Sequence, residues 1–183
     1  IAADLLSQAE HDTSSQSILI ASDRAFADDV ARAVESELRT MARAEIAGAS
    51  WRNNGAIIVV PDLASCASIV DRVAAEHVEL AMELAPAEVL SQKIRHAGAI
   101  FLGRHTPEAI GDYVAGTNHV LPTSRAARFS GGLGVSDFLK RTSFVSCTPD
   151  ALAALGPAAL ALAGAEGLEA HGPRRDGDEV GEH

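Results

Sequence analysis

Cysteine is scarce in this chain: two in 183 residues, Cys66 and Cys147, far apart and outside any CxxC pattern. That excludes a disulfide framework and makes a reducing cytoplasm the expected setting. Basic charge is also thin. Fifteen Lys and Arg stand against 25 Asp and Glu, for a formal net charge of −10 and a pI near 5.0. The cations are scattered, with no basic run longer than Arg174-Arg175. Such a surface repels polyanions, so neither nucleic acid nor an anionic membrane is an expected partner. No apolar run approaches the roughly 20 residues that a membrane span requires. There is no GxGxxG dinucleotide fingerprint, no internal repeat and no visible signal peptide. Ile1 opens the chain without a methionine, inside what reads as a helix over residues 2–10. The expectation is that a natural start lies upstream.

What is present is a chain 47% hydrophobic, long enough to bury a core as one domain with an appendage. Residues 17–21 form a short apolar, β-prone run. Residues 24–41 follow, with Phe26, Val30, Ala33, Val34 and Leu38 at three- and four-residue steps. That spacing predicts an amphipathic helix, with Ser22 or Asp23 as its N-cap. A second apolar strand is expected over 55–60, ended by Pro61, and a helix capped by Asp62 runs to about Ala74. An extended segment at 78–80, a helix at 86–94 and a third buried strand at 98–102 come next. Thr106-Pro107-Glu108 opens another helix, with Pro in its first position. Continuous apolar strands alternating with amphipathic helices imply an α/β fold, a parallel sheet covered on both faces. Residues 116–134 are rich in Gly, Ser, Thr and Pro and read as a long ordered loop or crossing segment. Helices are expected near 135–141 and 149–168, the second Ala/Leu-rich and suited to packing against a partner. The charged, Gly-rich tail from Gly172 reads as frayed.

Four groups of residues carry chemistry. Gln8 and His11 are three apart on the opening helix and share a face, so an amide oxygen and an imidazole can hold a metal there. A solvated helix end explains the same residues more simply. Glu76-His77 sets carboxylate beside imidazole, the two side chains most used for proton transfer near neutral pH. A surface Glu next to a half-buried His accounts for that dipeptide equally well. Asp112, Asn118 and His119 lie in a glycine-flanked segment, 111–123, after an apolar strand and a short helix. In parallel sheets ligands gather beyond the strands' carboxyl ends, and buried polar residues in such a loop need partners; turn formation is the simpler competing role. Glu166 and His171 end the last helix, where solvated polar residues are the ordinary case.

Taken in order, residues 3–11, 98–103, 111–123, the Leu133-Gly134-Val135, Asp137-Phe138 and Lys140-Arg141 stretches, and Ala165 to Leu168 with Ala170-His171 resemble histidinol dehydrogenase, specifically its C-terminal part. The resemblance covers nearly the whole chain, and the segment 111–123 is highly specific by itself. It implies an incomplete Rossmann-like domain over residues 1–128, without the usual nucleotide motif, and a crossing segment with a helical C-terminal dimerisation appendage over 129–183. It implies that Gln8, His11, Asp112 and His171 are zinc ligands and that Glu76 and His77 are the acid/base pair. His119 and Glu166 match substrate-contacting positions; Gln8, His11, His77, Asp112 and His171 also face the substrate. The implied reaction is the two-step oxidation of L-histidinol to L-histidine with NAD, in a homodimer whose sites are shared between subunits. The NAD-contacting positions of that family fall mostly upstream of Ile1, so the chain by itself is expected to be silent. A metal- or imidazole-binding remnant, or a fragment that assembles with a missing N-terminal half, are the competing classes. There are departures. Ala74-Ala75 stands where the family often has Gly-Pro, Ser130-Gly131-Gly132 is unusually glycine-rich, and the tail after Glu179 lacks a basic ending. None removes a chemical group.

Overall fold

Among the described residues three short apolar segments and one that mixes polar and apolar residues become strands, and they pair in parallel across helical crossovers, as parallel pairing requires. The computed structural model describes residues 1–168. The chain divides into two compact units, Ile1–Phe138 and the segment from Leu139 onward. His171 and the charged tail lie outside the described residues.

The first unit opens with α1 (Ala2–Ala9), which buries Ala2, Leu5, Leu6 and Ala9 along one stripe. Strand β1 (Ile18–Ala21) pairs with β2 (Ala56–Val59), Ile18 opposite Ala56 and Ala21 opposite Val59. Between them runs α2 (Arg24–Glu37), capped by the Asp23 carboxylate, which accepts the N–H groups of Ala25 and Phe26. The helix buries Ala27, Val30 and Val34 and stops short of the expected residue 41.

A helix the periodicity did not announce follows, α3 (Ala44–Asn54). Its buried residues are Ala47, Gly48 and Ser50, small side chains that let it lie against α1, so it has no stripe of large apolar residues to detect. The Ser50 hydroxyl, fully buried, donates to the Ser15 carbonyl at 2.9 Å.

The second half of the unit repeats the plan. Asp62 caps a single 3-10 turn (Leu63–Ser65) before α4 (Ala67–Val73). The helix ends on Ala74 in the left-handed region, φ 52°, a conformation that suits glycine. Strand β3 (His77–Leu80) pairs with β4 (Ala99–Leu102) across α5 (Leu84–Ser91), His77 opposite Ala99 and Glu79 opposite Phe101. The Asp71 carboxylate accepts the N–H groups of Arg95 and His96, which fixes the turn into β4.

The α/β alternation expected from the sequence is therefore present, with ladder hydrogen bonds in two short parallel pairs, β1–β2 and β3–β4. One apolar cluster joins α1, α2 and α3 to β1, around Leu6, Val34 and Ala47. A second joins α4, α5 and β3, around Val70, Val78, Leu80 and Leu90, and Ile20 of β1 packs against it. Cys66 belongs to this second cluster; burial pushes its thiol pKa up, as suits a core residue rather than a nucleophile.

After β4 comes α6 (Glu108–Tyr113), with Pro107 as the extended residue before it rather than its first helical residue. The expected helix at 135–141 is one 3-10 turn, Val135–Phe138. Asp137 turns back to accept the Gly134 N–H at 2.6 Å, a local bond that competes with helix propagation. The second unit contains α7 (Pro149–Glu166), capped by Thr148, opened by Pro149 and closed by Gly167 at φ 71°. Of its residues only Ala163 is buried, while Leu152, Leu155 and Leu162 stand exposed. Among the described residues no helix is long and apolar enough to cross a membrane.

Leu6 is 1% exposed. Leu6→Ala should lower the unfolding free energy by about 2–5 kcal/mol in denaturant titrations. Val89→Ala, on the exposed side of α5, should shift it by less than about 0.5 kcal/mol. Comparable losses at the two positions would contradict the assignment of α1 to the core.

Candidate active site

Strand alternation decides which residues of β3 can do chemistry. Val78 and Leu80 point into the second apolar cluster, so His77 and Glu79 share the opposite face. On α6, Glu108 and Asp112 are four apart and share a helix face. The structure sets these two faces together.

Glu79 Oε1 accepts the backbone N–H of Glu108 at 2.6 Å, which pins the start of α6 to the strand. Gly111 then lies under the Phe101 ring, where a Cβ would fall 2.4 Å from the nearest ring carbon. Only glycine permits that approach. The result is an imidazole between two carboxylates. His77 Nδ1 lies 3.3 Å from Glu108 Oε1, and His77 Nε2 lies 3.6 Å from Asp112 Oδ1. The three side chains are 14%, 8% and 20% exposed, so solvent screens these contacts weakly. Both ring nitrogens are buried, and neither contact is aligned as a hydrogen bond. The Phe101 ring, centred 5.9 Å from the imidazole, covers it on one side.

The electrostatics follow from this crowding. Burial, and then the like charges of Asp112, Glu79, Glu76 and Asp4, push the Glu108 carboxyl up to about 7. Burial also raises Glu79, against the opposing effect of the Glu108 N–H that it accepts. Nitrogen and oxygen donors of His77, Glu108 and Asp112 all lie within 4.8 Å of one another. That arrangement can hold a proton or a cation.

The expected site residues fall in several places. His77 and Asp112 are brought together, and Glu76 is near enough to act on the Glu108 carboxyl. Asp112 lies on α6, which takes up the first three residues of the segment 111–123 that read as loop. His77 is the first residue of β3, so the cluster gathers at that strand's amino-terminal end rather than beyond a carboxyl end. Gln8 lies in the last turn of α1 and His11 is exposed two residues past the helix. No ion pair or hydrogen bond joins either to Asp112 among the described residues. His119 is exposed in the loop after α6. Asn118 closes that loop on itself, donating to the Leu133 carbonyl at 2.6 Å and accepting the Val120 N–H at 2.8 Å. Glu166 is exposed at the end of α7, in the second unit.

Glu79 and Glu108 had not been singled out from the sequence. Two signals were available: a two-residue step from His77 to Glu79 in a strand, and a four-residue step from Glu108 to Asp112 in a helix.

Comparison with known proteins places the chain in context. The family model for histidinol dehydrogenase matches residues 1–174. The histidinol dehydrogenase of Rhodospirillum rubrum is 66% identical over 173 residues, covering 94% of this chain and 39% of that protein. That of Nitrobacter winogradskyi is 62% identical over 171 residues, covering 93% of this chain and 39% of that protein. A crystal structure of histidinol dehydrogenase from Elizabethkingia anophelis matches with a TM-score of 0.73 at 38% identity, over 93% of this chain and 39% of that one. The chain thus spans about 39% of the length of these relatives.

The raised Glu108 carboxyl has a consequence for stability. Between its ordinary 4.5 and about 7, the folded chain holds a proton that the unfolded chain has released. Its stabilising contribution is therefore full below 4.5 and lost as pH rises through about 7. Glu108→Gln, neutral throughout, should gain stability over the original residue between about pH 5 and pH 8, on the order of 2–3 kcal/mol at the upper end. Denaturant titrations of metal-free protein across that range measure the difference; a difference independent of pH would refute the shift.

Proposed function

The chain belongs to the histidinol dehydrogenase family, and from that premise we propose that it carries the proton-transfer centre of a zinc-dependent, NAD-linked oxidation of L-histidinol through L-histidinal to L-histidine. The observation that supports this most directly is His77, a half-buried imidazole whose two nitrogens are buried and free of hydrogen bonds, next to Glu76 and facing Asp112. An unpaired buried base is costly to maintain, and such groups concentrate where protons are moved.

The donor chemistry suits zinc. The Gln8 amide oxygen, the Asp112 carboxylate and the His11 and His171 imidazoles are oxygen and nitrogen ligands of the kind that Zn²⁺ takes. When bound, the metal supplies a fixed positive anchor for the amine and imidazole nitrogens of the substrate. NAD, when bound, accepts a hydride in each of the two oxidations.

The chain's own residues do the rest. His77 takes the hydroxyl proton as the alcohol carbon gives up hydride, leaving the aldehyde. Glu76 removes a proton from the water that adds to the aldehyde carbon, while the aldehyde oxygen takes back the proton held on His77, which forms the hydrate and restores the imidazole as a base. His77 then takes the hydroxyl proton of the hydrate as the second hydride leaves, and the acid is formed. His119 and Glu166 are assigned to substrate contacts. Because the chain spans about 39% of its relatives' length, the activity is assigned to a polypeptide of full family length, and these 183 residues alone are expected to be inactive.

The active form is proposed to be a homodimer with shared sites. Helix α7 leaves Leu152, Leu155 and Leu162 exposed and buries little of its own. An apolar face of that kind is stabilised by packing on a second subunit, which carries Glu166 and His171 with it.

Half-reactions test the proton roles in the full-length enzyme. Glu76→Gln should slow histidinal oxidation by about 10²–10⁴-fold and histidinol oxidation much less. His77→Asn should slow both. Equal damage from Glu76→Gln in the two assays would contradict the division. Mixed dimers test the shared site: His171→Ala subunits paired with Gln8→Ala/His11→Ala subunits should regain a substantial fraction of activity, since each heterodimer holds one intact site. Heterodimers that form and stay inactive would show that His171 serves its own chain.

A further inference from the structure

Glu108 stands out from the other acidic residues of the unit. Among the described residues it is the one buried carboxylate, it faces an imidazole at 3.3 Å, and none of the proton steps above uses it. Its backbone is held independently of its side chain, by the Glu79 carboxylate on the Glu108 N–H. The side chain is therefore presented to His77 from a fixed point, on the Nδ1 side, while the buried Nε2 faces Asp112.

A neutral imidazole carries one proton on one of two nitrogens, and only the bare nitrogen is a base. Which nitrogen is bare depends on what faces the other. We infer that Glu108 is the positioning residue of His77: its carboxylate accepts the Nδ1 proton, fixes the tautomer and ring orientation, and leaves Nε2 as the nitrogen that takes the substrate proton. The inference rests on His77 being the proton acceptor, as proposed above. The Nδ1–Oε1 separation is already within reach of a hydrogen bond after a small ring rotation, and contacts of this type tighten when substrate closes the site.

The chemistry is balanced within the dyad. The O–H bond of the substrate breaks, an N–H bond forms at Nε2, and the imidazolium positive charge is met by the Glu108 carboxylate; the Glu108 oxygen gains no bond beyond its hydrogen bond. A glutamine in its place presents an amide that can donate to Nδ1 as readily as it accepts. The proton then moves to Nε2, and the base is lost while the volume of the side chain is kept.

The test uses the full-length enzyme with its ¹⁵N-labelled histidines, the His77 signals being assigned by their loss in His77→Asn. Above neutral pH, the imidazole of the original enzyme should show its proton on Nδ1. In Glu108→Gln it should shift to Nε2 or to a mixture. The same variant should lose about 10²–10⁴-fold in kcat for both histidinol and histidinal, with KM within about threefold, because uniform binding is untouched. Glu108→Asp, which keeps the charge one methylene short, should keep the Nδ1 proton and recover part of kcat. It also serves if Glu108→Gln fails to fold. An unchanged tautomer in Glu108→Gln, or a kcat within twofold of the original in both reactions, would overturn the inference. Absence of histidinol oxidation in the unaltered full-length enzyme would instead overturn the proposed function, and the tautomer comparison would still decide what Glu108 does to His77.

Discussion

The close seating of α6 on the β3–β4 pair is the constraint from which the site follows. Two contacts impose it. The Glu108 N–H is held by the Glu79 carboxylate at 2.6 Å, and Gly111 meets the Phe101 ring where no other residue fits. A helix held further out would carry Glu108 and Asp112 away from the imidazole, and His77 would face solvent or apolar side chains instead of two carboxylates. The rest of the first unit supports that seating. Val78 and Leu80 anchor the other face of β3 in the core, and Asp71 fixes the turn that delivers β4.

The arrangement opposes stability. Glu76, Glu79, Glu108 and Asp112 gather around one histidine, and burial followed by the like charges of its neighbours raises the proton affinity of Glu108. The unpaired imidazole nitrogens add a desolvation cost. Of these groups Glu79 has a structural task as well, the hold on the Glu108 N–H that seats α6. The two apolar clusters, centred on Leu6 and Val34 and on Val78 and Leu80, supply the stability that offsets this cost.

Where local physics dominates, the residues announce their structure. Asp23 and Thr148 cap helices, Gly167 ends one, and the short apolar runs at β1, β2 and β4 form strands, half-buried rather than fully buried. Helix α3 went undetected because its buried side is Ala47, Gly48 and Ser50, chosen for close approach to α1 and not for hydrophobicity. The segment 135–141 looked helical by composition, but the Asp137 side chain captured the Gly134 N–H and stopped it at one 3-10 turn. Asn118 looked like a functional residue and serves to tie a loop together.

Sequence alone determined the α/β alternation and the family, because strand and helix periods, caps and a long specific motif are local properties. It marked His77 and Asp112 separately. Only the tertiary structure decided that these two meet, that Glu108 joins them, and that Glu79 holds the helix in place, because His77 and Asp112 are 35 positions apart and their contact depends on how α6 folds back against β3. Burial sets the proton affinity of Glu108, and burial is a property of everything packed around a residue rather than of the residue itself.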